Sequence, residues 1–126
     1  MTNKIQNINE NSFEKLLVWQ KTHSLVLGIY KLTKLFPSDE KYLLVSQIRR
    51  SSSSIAANIV EGNERKTKKE FIQFLYTAKA SLSETKYHLL LAKDLNYFDN
   101  NNYAKLIEEA NVIGKLINGL INYLKK

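Results

Sequence analysis

Arg49-Arg50 runs straight into Ser51-Ser52-Ser53-Ser54, and Glu84 stands four residues before His88. Hydroxyls, an imidazole and a carboxylate are the parts of a nucleophilic hydrolase, in which a base within hydrogen-bond reach takes the serine proton. No G-x-S-x-G turn presents these serines, and the chain has only one other histidine, His23. Dimetal centres in helical bundles use glutamates and Glu-x-x-His pairs, a spacing that occurs nowhere in the chain. The absence of cysteine removes thiolate ligands, disulfides and cysteine nucleophiles, and no glycine loop is present to cradle a phosphate. The expectation is a protein without catalytic residues, metal or cofactor.

Cations offer a different chemistry. Lys79, Lys86 and Lys93 recur every seven residues, preceded by the cluster Arg65, Lys66, Lys68 and Lys69. On a helix the three lysines align, and their phase is read as opposite the buried stripe. With 19 Lys and Arg against 12 Asp and Glu, the formal charge is +7. Such a track suits phosphate contacts that ignore base sequence and weaken with salt. Its plainer reading is a solvated lysine face, since Glu64 and Glu70 interrupt the cluster and no RNA-reading aromatic motif accompanies it.

What must position these residues is legible from apolar spacing. Val18, Thr22, Leu25, Ile29, Leu32 and Phe36 alternate steps of four and three, which predicts a helix over about 13–35, ended by Phe36-Pro37. Ser38 is then expected to cap a second helix with Asp39 and Glu40 in its first turn. Its inward stripe is Leu44, Ile48, Ser51, Ile55, Ile59 and Gly62, so the serine run falls inside a helical period and is not a linker. Thr67 to Glu70 reads as a capping box that opens a third helix lined by Leu75, Ala78, Leu82, Thr85, Leu89 and Ala92. After a polar turn at 96–102, Tyr103, Leu106, Ala110, Ile113, Ile117, Leu120 and Leu124 predict a fourth. One proline and four glycines among 126 residues leave few turns for a β protein. The fold class is therefore all-α: an antiparallel up-down-up-down four-helix bundle over 13–126, preceded by a polar, flexible arm over 1–12.

A polar seam runs beside the apolar face of the second helix. Gln47, Arg50, Ser54, Asn58 and Glu61 share one stripe, and Glu84 of the third helix is the expected partner of Arg50. The expected role is a buried interhelical network that holds the helices in register, because an unpaired buried charge costs several kcal/mol, roughly 3–5 when a buried pair is broken. The small residues of the run would let a neighbouring backbone approach closely.

The motifs WQ at 19–20, FPSDE at 36–40, QIRRSSSSIAANIVEGNER at 47–65 and EFIQFL at 70–75, with Ala78, Ser81 and Glu84, carry a resemblance. They resemble the small four-helix bundle family encoded in intervening sequences of bacterial large-subunit (23S) ribosomal RNA genes. The fold is also similar to that of the accessory variability determinant protein of diversity-generating retroelements. The resemblance implies a bacterial, non-enzymatic bundle that assembles as a ring-like homopentamer with a basic surface. In the retroelement relative that surface binds nucleic acid, and the protein binds its reverse transcriptase.

Taken together, these features lead to the expectation of a non-enzymatic, oligomeric bundle that binds structured RNA or DNA electrostatically. Arg65, Lys66, Lys68, Lys69, Lys79, Lys86 and Lys93 would supply the phosphate contacts. The rival is a protein-interaction scaffold with no nucleic-acid role. No apolar run reaches the length of a membrane span or resembles a signal peptide, and a cytoplasmic location is expected.

Overall fold

The computed structural model describes residues 13–126, and the arm expected over 1–12 lies outside them. Four helices, α1 (Leu17–Thr33), α2 (Leu44–Asn63), α3 (Lys68–Asp94) and α4 (Asn100–Lys125), follow one another with no strand among the described residues. Each packs on its neighbours in the order α1, α2, α3, α4 and back to α1, and the diagonal pairs do not meet. Pairing across the interfaces runs in opposite directions. Arg50 meets Glu84 where Ser54 meets Ser81, and Lys93 faces Tyr103 where Tyr76 meets Lys125. The result is the antiparallel bundle that the spacing predicts.

The core is the expected stripe on α2 and α3, with Val45 and Ser52 added on α2, and a shifted one on α1, where Thr33 is buried and Leu32 half covered, and on α4. Leu25, Ile29, Ile48, Ile55, Ile59, Leu75, Leu89, Ile113 and Ile117 are wholly buried. On α4 the last buried position is Ile121, with Leu120 and Leu124 only half covered. A straight helix of 3.6 residues per turn drifts away from a strict seven-residue repeat, so a step of four replaces the expected three.

Two helix starts fall later than expected. Ser38 makes no side-chain cap, and Ser38–Glu40 forms a single 3-10 turn, so α2 begins at Leu44, after Leu43 leaves the helical region. The detour lets Phe36, Leu44, Val45 and Ala92 close a second small core at this end of the bundle. There Glu40 accepts a 2.6 Å hydrogen bond from the Tyr97 hydroxyl, which ties the α1–α2 connection to the α3–α4 turn. The first helix is likewise shorter than expected, with a separate 3-10 turn at Phe13–Lys15.

The other ends obey local rules. Thr67 caps α3 as expected, accepting from the Glu70 amide at 3.1 Å, while the Glu70 carboxylate accepts from the Thr67 hydroxyl at 2.9 Å in place of the backbone amide of a full capping box. Asn96, with a φ of 63°, lets the Tyr97 amide reach back to the Ala92 carbonyl at 3.0 Å and so ends α3. Asp99 caps α4 through the Asn102 amide at 2.7 Å, three residues earlier than the apolar stripe implied. No helix among the described residues is long and apolar enough to cross a membrane.

Candidate nucleic-acid interface

Ser51 and Ser54 of the serine run lie at the packing surface between α2 and α3. Ser51 and Ser52 are buried, and each donates to a carbonyl of the preceding turn, as does Ser53. Across the interface Thr85 bonds Ser51 at 2.9 Å and Ser81 bonds Ser54 at 3.0 Å. Hydroxyls this close require the two backbones to approach tightly. Gly62 takes the same requirement to its limit, since a Cβ there would stand 2.8 Å from Phe71 Cδ1 and from Phe74 Cβ. Among the described residues no hydrogen bond joins a serine of the run to His23 or His88, so no Ser–His pair is formed.

Most of the polar seam assembles, but on the surface. Arg50 donates to Glu84 and to Gln47, and Asn58 donates to the Ser54 carbonyl at 2.8 Å and to its hydroxyl at 3.1 Å. The exposed Glu61 joins none of these side-chain bonds. The Arg50 and Glu84 side chains are 54% and 38% exposed, so the pair expected to be buried is not. Helix phase explains the correction, because Gln47, Arg50 and Glu61 sit at the rim of the interface and only Ser54 and Asn58 reach under it. His88, not anticipated in this network, lies with Nε2 3.1 Å from Glu84 Oε2, while its buried Nδ1 has no hydrogen-bond partner. That imidazole, then Arg50, hold the Glu84 carboxyl below its ordinary range.

The lysines are not opposite the core. Lys79 follows buried Ala78, and Lys86 and Lys93 lie one helical turn after buried Leu82 and Leu89, so all three flank the stripe on the side of α4. Lys86 and Lys93 are accordingly only partly exposed. Lys79 and Lys86 line a groove of about 350 Å³ with Asn111, Lys115 and Asn118 of α4, and no carboxylate lines it. Lys115 is the residue sequence reasoning missed. Its own helix places it far from the buried face, and only the packing of α4 on α3 brings it beside the other two.

The remaining cations are distributed along the same helix. Lys93 lies toward the other end of α3, 4.7 Å over the Tyr103 ring and 3.7 Å from Asp94, which offsets its charge. Arg65 stacks over Phe74 at 4.7 Å, and Lys66, Lys68 and Lys69 are exposed around the α2–α3 turn. Lys68 shares the helical phase of Lys79 and Lys86, whereas Lys69 points away from it. The groove therefore has a basic approach at one end and a partly neutralised one at the other. Its asparagines supply amide donors and acceptors, and its cations can meet phosphate oxygens. Among the described residues no group of three or more His, Cys, Asp or Glu side chains could hold a metal ion.

Comparison with known proteins places this geometry. A family profile described as "23S rRNA-intervening sequence protein" matches residues 14–119. A solved structure, a protein with unknown function from the S23 ribosomal protein family of Bacteroides thetaiotaomicron VPI-5482, is similar at 29% identity with a TM-score of 0.78. The match covers 83% of this chain and 98% of that one. No curated protein matches.

Proposed function

From the premise that the chain belongs to the 23S rRNA-intervening sequence protein family, we propose that it is a non-enzymatic bundle that binds structured nucleic acid through the α3–α4 groove. The observation that carries this reading is the convergence of Lys79, Lys86 and Lys115 on a groove without a lining carboxylate. Three cations held side by side repel one another until a polyanion neutralises them, which favours binding over an empty groove. Lys66 and Lys68 extend the positive surface past the end of the groove, and the net charge of +7 adds long-range attraction. Base-specific recognition is not part of the proposal.

Exposed Leu35, Tyr42 and Leu43 at the opposite end of α3 from this basic turn support self-assembly into a homo-oligomer, with the pentamer implied by the resemblance as the specific form. The same residues favour the second reading, a scaffold that offers this end to a protein partner in the cytoplasm. Assembly would multiply the groove contacts, so weak phosphate binding per subunit becomes firm for a long strand.

The test is fluorescence anisotropy of a labelled RNA hairpin and a DNA duplex across a salt series. A variant carrying Lys79→Gln, Lys86→Gln and Lys115→Gln is measured alongside. Binding should weaken steeply with salt, and the variant should lose both affinity and about one unit of log-log salt slope per lysine removed. Equal binding by both proteins, or none by either, would sink the groove reading in favour of the scaffold.

A further inference from the structure

A second cationic pocket lies on the opposite side of the bundle, between α1 and the start of α2. It encloses about 320 Å³, near the lower end of the roughly 300–1,000 Å³ typical of small-ligand sites. Lys34, Lys41 and Arg49 line it together with Ser38, and Phe36 and Pro37 supply apolar wall. None of the three cations forms an ion pair among the described residues. Arg50, one position along, has Glu84.

Arg49 is held in place by neutral groups. Its Nε donates to Thr33 Oγ1 at 2.9 Å, its Nη2 donates to the Tyr30 carbonyl at 3.2 Å, and its guanidinium stacks 4.6 Å over the Tyr30 ring. Buried Thr33 is itself anchored to the Ile29 carbonyl at 2.8 Å. These bonds use two of the five N–H donors and leave the charge unopposed. A guanidinium fixed in this way loses little freedom on meeting an oxyanion.

The nearby acidic residues face elsewhere. Glu40 is bonded to Tyr97, Asp39 also acts on that phenol, and neither carboxylate lines the pocket. The carbonyls at the end of α1 oppose an anion, but they amount to about half a charge against three full ones. Positive potential therefore dominates the cavity.

We infer that this pocket binds the phosphoryl group of an organic phosphate monoester, with Arg49 as the fixed anchor, Lys34 and Lys41 closing over it, and Phe36 and Pro37 against the organic part. The monoester is either a free metabolite or the terminal phosphate of a nucleic-acid strand. The inference does not rest on the α3–α4 groove, which lies across the molecule.

Isothermal titration of the full chain with AMP, and with a short oligoribonucleotide bearing either a 5′-phosphate or a 5′-hydroxyl, tests it. The Lys34→Gln, Lys41→Gln variant changes only exposed side chains and should keep its melting temperature while losing about tenfold or more in affinity. Arg49→Lys is a second variant, and the Lys79, Lys86, Lys115→Gln protein should keep full affinity for AMP. Binding of AMP lost in the pocket variant identifies a free monoester. Binding confined to the 5′-phosphorylated strand and lost in the same variant identifies a strand end. No binding of any probe at millimolar concentration, equal binding of the two strands with none of AMP, or undiminished binding by the pocket variant would overturn the inference.

Discussion

Thr85 Oγ1 on α3 and Ser51 Oγ on α2 are hydrogen-bonded across 2.9 Å with both side chains fully buried. This bond lies where a bundle normally packs leucine against leucine. Ser51 donates to the Ile48 carbonyl, and Thr85 shares its single proton between Ser51 Oγ and the Ser81 carbonyl. The seam therefore costs no buried unpaired group, and it lets α2 and α3 pack closely.

Filling that seam should be worse than unbonding it. Thr85→Val keeps the volume and removes the donor shared between Ser51 and the Ser81 carbonyl, which should cost about 1 kcal/mol. Ser51→Leu must push the helices apart and should cost about 1–3 kcal/mol or more. Urea denaturation of the two variants checks the order, and a larger loss for Thr85→Val would mean the hydroxyl pair, rather than the spacing, holds the interface.

Gly62→Ala should destabilise by about 1–3 kcal/mol, although alanine is the better helix former by about 1 kcal/mol. The new methyl meets Phe74 Cβ, an atom fixed to the α3 backbone that cannot swing away. A variant with an unchanged or raised urea midpoint would show that the two helices can separate cheaply.

Arg50→Ala should change stability by less than about 1 kcal/mol, since the pair it breaks is open to solvent. The Glu84 carboxyl is held below its ordinary value of 4.5, so its stabilising contribution is present above that pH and is lost as pH falls through the lowered value. Glu84→Gln should therefore lower the melting temperature slightly at neutral pH and converge with the parent in acid, which flattens the acid limb of a pH–melting-temperature curve.

Tyr97 gives the opposite sign. Its bond to Glu40 pushes the phenol up to about 12 from 10.0, so the stabilisation is complete below 10.0 and is lost as pH rises through about 12. Tyr97→Phe should remove the alkaline slope that this group contributes, read by thermal melts across that window.

How far the sequence reached differs between helices and surfaces. The buried set of α3 is the set its spacing predicted, because Leu75 to Ala92 repeats without a break and has capping signals on both sides. On α2 all six predicted positions from Leu44 to Gly62 are buried, joined by Val45 and Ser52, which the spacing had not included. The start of α2 was misplaced, since Ser38, Asp39 and Glu40 read locally as a cap, whereas the contacts that accompany the 3-10 turn, the bond from Tyr97 to Glu40 and the small core of Phe36, Leu44, Val45 and Ala92, join residues distant in sequence.

The sequence alone determined the fold class, the four helices and most of their inward positions, because periodicity, caps and proline act over a few residues. Tertiary structure alone decided which polar groups share a site. Lys79 and Lys86 became a groove only when α4 brought Lys115 beside them, and Arg49 became a fixed cation only when α1 offered Thr33 and Tyr30. A helix sets the phase of its own side chains, but the neighbour each one faces depends on how the helices pack, and local spacing carries no record of that.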